Sequence, residues 1–251
     1  MATYVGADWA GHGWFGVVFD DDGNWWADLY PSILSLWKYH SDATRILVDV
    51  PIGLPTQETG RRRCDVRAKE VLGERHSSVF FAPVRDAVYE ANLERARAVN
   101  ESAGYSIQNQ AWSFVPRIRE VDEFLDRFPS ATDRLRETHP EVCFRMLHGE
   151  TLPSKHTDAG IDERIAVLTD KAPYAIEIYE ELVDTYKSPA YAPTVGRRHD
   201  ILDALVAAVT ARRAESKLAT LPPSPPTDDR GLPMEIVYPS PAVQTTLPGI
   251  A

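Results

Sequence analysis

The run from His199 to Arg213, HDILDALVAAVTARR, constrains this chain more than any other. It is a helix of Ala, Val and Leu, apolar on nearly every side beyond its first turn, and such a helix has to be buried among other elements. Yet that first turn carries two carboxylates, Asp200 and Asp203, with His199 in front. Positions three apart are neighbours on a helix, so two negative charges there repel unless a cation or a proton sits between them. Asp200 has an ordinary explanation as an N-cap or as a partner of the helix dipole. Asp203 has none as good.

The rest of the chain supplies elements for this helix to pack on. Residues 3 to 30 read as three strands, TYVGADW, WFGVVFD and WWADLY, and the turn DDDGN between the last two is a hairpin signal. PSILSLWKYH reads as a short helix with Pro31 at its start, and RILVDVPIGLP (45 to 55) as a buried parallel strand running into a Pro- and Gly-rich loop. Three helical runs follow, at 61–73, 84–104 and 106–128, the last bent near Pro116. ETHPEVCFRML (137 to 147) reads as a fifth strand, and DAGIDERIAVL and PYAIEIYEELVDTY as helices before the final one. This order predicts an α/β fold, a mixed five-stranded sheet with helices on both faces, in the ribonuclease H-like arrangement. One domain over residues 1–218 is expected, with a helical insertion at about 60–136 and a Pro-rich tail over 219–251, in which EIVYP is a candidate edge strand.

Composition narrows the setting. With 43% hydrophobic residues the chain is globular, and it has no apolar run of the roughly 18 residues a membrane span needs, so no membrane association is expected. No signal peptide is evident at MATYVGADWA, and Cys64 and Cys143 are isolated, which suits a reducing cytoplasm. The net charge is −10, with 21 Arg against 6 Lys, a balance that suggests a salt-adapted, halophilic protein. Acidity normally argues against nucleic-acid binding; in a salt-adapted chain local basic clusters become the better guide.

Two further acids lie in apolar strands: Asp8 at the end of the first and Asp49 near the end of the fourth. Burying a lone carboxylate costs several kcal/mol, so each needs a partner. In the ribonuclease H-like layout those two strands are neighbours, which brings Asp8 and Asp49 together facing Asp200 and Asp203. Four such acids require cations, and carboxylate oxygens select Mg²⁺ or Mn²⁺. Two ions roughly 4 Å apart are a standard device for hydrolysing a phosphodiester.

The resemblance to a known family rests on particular segments. VGADWAGHGWFGVVFDDDG looks like the first hairpin of ribonuclease H-like nucleases, and HDILDALVAAVTA like the last helix of the Holliday-junction resolvases. The set ILVDVPIGLP, RRRCDVRAKEVLG, SSVFFAPVR, HPEVCF and HDILDALVAA resembles an uncharacterised bacterial and archaeal family of predicted RNase H-like nucleases, over roughly residues 3 to 213. The resemblance implies a metal-dependent nuclease with Asp8, Asp49, Asp200 and Asp203 as metal ligands. Glu141 is an extra acid, read as a further ligand, a general base or an ion-pair partner of an Arg. His139 and His199 flank these acids as proton-transfer candidates or plain loop histidines. Arg61, Arg62, Arg63, Arg67 and Lys155 are candidates to hold a substrate phosphate, or else surface charges. Trp9, Trp14, Trp25 and Trp26 could stack on bases, or pack in the core. Expected partners are nucleic acid or another phosphate ester. Two rival readings remain: a non-catalytic scaffold of the same fold, and an ATP-using kinase-like protein, for which the second phosphate loop and Gly-rich adenosine motif are missing.

Overall fold

The computed structural model describes residues 1–187 and 198–240. Its centre is a five-stranded sheet built from β1 (Thr3–Trp9), β2 (Trp14–Asp20), β3 (Trp25–Tyr30), β4 (Arg45–Val48) and β5 (Leu135–Glu137). The strand order is β3-β2-β1-β4-β5, with β2 antiparallel to its neighbours β1 and β3, and β4 and β5 parallel to β1. The β2–β3 turn is tied by Asp20, whose carboxylate accepts from the backbone and side-chain amides of Asn24, both at 2.8 Å.

Side chains alternate across a strand, and that alternation sorts β1 between two cores. Val5 and Ala7 join α1 (Ile33–His40) and α5 (Asn109–Arg127) on one face. Gly6 and Asp8 point the other way, toward the final helix, α9 (Arg198–Ala211). A Cβ on Gly6 would lie 1.9 Å from the backbone nitrogen of Ala208, so glycine is what lets α9 lie directly on the strand. From Ile201 to Ala211 every residue of α9 is buried, as its composition demands. The same face carries α6 (Pro140–His148), α7 (Asp158–Lys171) and α8 (Tyr174–Tyr186).

Between β4 and β5 run α2 (Arg63–Leu72), α3 (Arg85–Val88), α4 (Leu93–Glu101) and α5, the expected insertion. Its second helix is divided, because Asn92 caps α4 by accepting a bond from the Arg95 amide. The third continues through Pro116. The expected strand over 137–147 is corrected: β5 ends at Glu137, and α6 begins at Pro140. Proline suits the first helical position, where no amide donor is needed.

The segment after α9 is also more than a tail. β6 (Leu218–Leu221) and β7 (Ile236–Pro239) form an antiparallel pair, and β7 is buried throughout. Val237 bridges to Thr138 beyond the end of β5, and the Thr138 hydroxyl donates to its carbonyl at 2.7 Å. Asp228 accepts from the Leu54 amide at 3.0 Å and pairs with Arg85. Residues 219–240 therefore belong to the folded unit; the remainder of the expected tail, 241–251, lies outside the described residues. Cys64 and Cys143 are free and buried. Among the described residues no helix is long and apolar enough to cross a membrane.

Candidate active site

The C-terminal ends of β1 and β4 are joined by a bond from the Asp49 amide to the Ala7 carbonyl, 3.1 Å. That link sets Asp49 beside Asp8. Asp8 shares its face of β1 with Gly6, the residue against which α9 is seated, so the first turn of α9 arrives above the pair. Asp203 is the acid it delivers to the interior, 1% exposed, and Asp8 is 7% exposed. Asp200 stands nearer solvent in the cleft, with His199 Nε2 3.2 Å from its carboxylate.

The carboxylates feel both burial and one another. Burial, followed by the charges of Asp203 and Asp49, raises Asp8 well above the ordinary carboxylate range. Asp49 is pushed up to about 7, first by burial and then by Asp203. Asp203 is raised by burial too, with Lys155 working against the shift. Lys155 forms an ion pair with Asp203 Oδ2. Burial would lower the ammonium's pKa, but Asp203 and Asp8 outweigh it and hold Lys155 charged. The other oxygen of Asp203, Oδ1, is closed from solvent and has no hydrogen-bond partner among the described residues.

Lys155 is aimed by its surroundings. Arg164, completely buried, grips both oxygens of Glu141 at 2.6 and 2.8 Å and also donates to the Pro153 carbonyl at 2.9 Å. It thereby ties the loop before α7 to α6. Gly160 completes the arrangement: a Cβ there would lie 1.9 Å from the Ser154 carbonyl oxygen.

Several expected roles change once partners are visible. Glu141 lies on a helix, and both its oxygens are engaged by Arg164, so its place is that of an ion-pair partner. Arg62 is 2% exposed and saturated by Asp65 at 2.5 Å and Glu137 at 2.7 Å, which removes it from contact with a phosphate. Arg61 lies over the rings of Phe81 and Tyr105, Arg67 pairs with Glu70, and Arg63 is exposed at the start of α2. None of these three lines the acid cleft. Lys155 alone of the basic candidates meets the acids. Among the tryptophans, Trp14 is fully buried and Trp25 packs against the core, while Trp26 is exposed. Trp9 lines the cleft, with the Arg117 guanidinium 4.0 Å above its ring. His139 is held neutral by burial.

The cleft has two compartments that share Asp49, Gln110, Phe114, Lys155 and His156. The larger, about 900 Å³, runs past Asp8, Trp9, Arg117 and Asp200. The smaller, about 380 Å³, runs past Arg75, Ser77, Phe80 and His139. Asp8, Asp49 and Asp203 are hard oxygen donors of the kind suited to Mg²⁺ or Mn²⁺, and one Asp203 oxygen has no partner among the described residues. As the side chains stand, no group of three or more His, Cys, Asp or Glu among the described residues forms a ready ligand shell. The Lys155 ammonium already meets part of the charge.

The sequence model of a family described as "Protein of unknown function (DUF429)" matches residues 6–228. No curated protein and no solved structure matches the chain. The match ends at the residue that pairs with Arg85, well past the end of α9.

Proposed function

This chain belongs to the DUF429 family, and we propose that it is a divalent-metal-dependent phosphodiesterase of ribonuclease H-like fold acting on nucleic acid. The observation that carries the reading is the meeting of Asp8 and Asp49 on an open cleft with Asp203 buried behind them, one oxygen of Asp203 being unpaired among the described residues. The strand order β3-β2-β1-β4-β5, with the first three strands antiparallel, is the order expected of that fold. Three carboxylates pushed toward protonation are poorly arranged for structure alone, two of them, Asp8 and Asp49, line the cleft, and perturbed groups lining a cleft mark functional sites.

Asp8, Asp49 and Asp203 would hold Mg²⁺ or Mn²⁺, with Asp200 completing the shell from the solvent side. The ions would supply an activated water and charge stabilisation for the leaving oxygen. Lys155 neutralises the acids in their absence; with substrate bound, its ammonium pairs a phosphate oxygen beside them. Arg164, held by Glu141, positions the loop that carries Lys155. The scaffold reading draws on one observation, that Lys155 already serves Asp203 as an internal cation.

The test is calorimetric titration of Mg²⁺ and Mn²⁺, then hydrolysis of end-labelled DNA and RNA at low and high salt. Asp8→Asn and Asp203→Asn are expected to lose both binding and at least about 100-fold in cleavage, in the range set by loss of a transition-state contact, while Arg67→Ala keeps both. A folded wild-type protein that binds neither ion and cleaves no substrate overturns the proposal in favour of the scaffold.

A further inference from the structure

The smaller compartment is built differently from the acid centre beside it. Its floor is rigid and chemically spent: Arg62, Asp65 and Glu137 are buried and paired with one another. Its walls are not spent. Arg75 Nε and His139 Nδ1 are closed from solvent and have no hydrogen-bond partner among the described residues. Both residues line the compartment, so the guanidinium and the imidazole stand at its wall. Phe80 and Phe114 form an aromatic wall, their ring centroids 5.5 Å apart and tilted by 39°. The exposed residues Ser77 and Gln110 stand at its edge.

Aromatic faces next to unpaired donors and acceptors are what recognises a nucleobase that has left its stack: the rings stack on the base and the polar atoms read its edge. A volume of about 380 Å³ holds one such unit and excludes a paired one. Asp49 and Lys155 border both compartments, so a phosphate at the acids has its neighbouring nucleoside here. On the other side, Trp9 and Arg117 line the larger compartment.

We propose that this compartment is a nucleoside subsite holding one unpaired base beside the scissile phosphate, which makes the substrate a single strand of nucleic acid. The inference rests on the phosphodiesterase reading for its phosphate, and on the compartment's own residues for its base.

Metal-free binding separates the two. Saturation-transfer NMR in EDTA is run with adenosine, guanosine, cytidine and uridine, and with ribose as control. Transfer to the base protons of at least one nucleoside is expected, with none to ribose. Ser77→Trp, a change at an exposed position that fills the compartment, abolishes it; Phe114→Leu weakens it at least about fivefold, a modest loss for a stacking face; Asp8→Asn leaves it intact. Cleavage assays then compare a single strand with the same strand in duplex, the single strand being cut at least tenfold faster. Equal signals for ribose and nucleosides, a nucleoside signal untouched in folded Ser77→Trp, or duplex cut as fast as single strand overturns the subsite and leaves the phosphodiesterase standing. Base-specific binding without metal-dependent cleavage supports the subsite and overturns the phosphodiesterase.

Discussion

Replacing Asp49 by asparagine is expected to stabilise the metal-free protein, by an amount that depends on pH. The carboxyl has an ordinary pKa of 3.8 and is pushed up to about 7 in the fold, by burial and then by Asp203. Below about pH 4 it is protonated both folded and unfolded, so Asp49→Asn and wild type are equally stable. As the pH rises toward 7 the unfolded chain releases a proton that the folded one retains, and the wild type loses stability at up to about 1.4 kcal/mol per pH unit. Above pH 7 the loss is complete. The span from 3.8 to about 7 corresponds to roughly 4 kcal/mol. Sharing of protons with Asp8 and Asp203 spreads the titration, so the expected advantage of Asp49→Asn is about 2 to 4 kcal/mol. Urea unfolding in EDTA at about pH 4, 6 and 8 measures it directly. Mg²⁺ added at the highest pH should stabilise the wild type and leave the variant unchanged, closing the gap. An asparagine variant no more stable than wild type at about pH 8 would refute the argument, because an ionised Asp49 would then carry no penalty.

Three other substitutions test the surroundings. Lys155→Met removes the ammonium that faces Asp203, Asp8 and Asp49. Melting in EDTA should show a loss of about 2 kcal/mol near pH 8 and much less near pH 5, and an equal loss at both would mean packing alone is at stake. Arg62→Met strands Asp65 and Glu137 as unpaired buried carboxylates; urea unfolding should register about 3 to 5 kcal/mol, and Arg62→Lys should restore little because one ammonium cannot replace the guanidinium fork. Gly6→Ala forces a methyl to within 1.9 Å of the α9 backbone. It should cost about 3 kcal/mol or more in thermal or urea unfolding, and wild-type stability would show that α9 is not seated on β1 as described.

Much of the frame is legible in local pattern. The β1–β3 meander follows from three short β-prone runs and an Asp-Gly turn, and the final helix from an apolar run too uniform to face water. Asp8, Asp49 and Asp203 stood out because a carboxylate in an apolar element needs a reason. The misreading of 137–147 as a strand came from a short apolar run whose periodicity suits either element, where Pro140 was the deciding residue. The segment after α9 was hidden for another reason. Its strands are four residues long and set among prolines, and they exist because β7 pairs with β6 and bridges to Thr138.

Residue types and their neighbours along the chain are enough to mark the side chains too polar for where they must lie: two acids at strand ends and one in a helix that has to be buried. Wherever such carboxylates meet at short range, a cation or a proton has to sit between them. Which group sits there depends on contacts between segments far apart in the chain. Lys155 meets Asp203 across 48 residues of chain, and Arg62 is claimed by Glu137 across 75, so one basic side chain joins the acids while the other is buried in a separate ion-pair cluster. Charge and spacing look alike at both positions; partners are chosen by which surfaces the folded sheet and helices bring into contact.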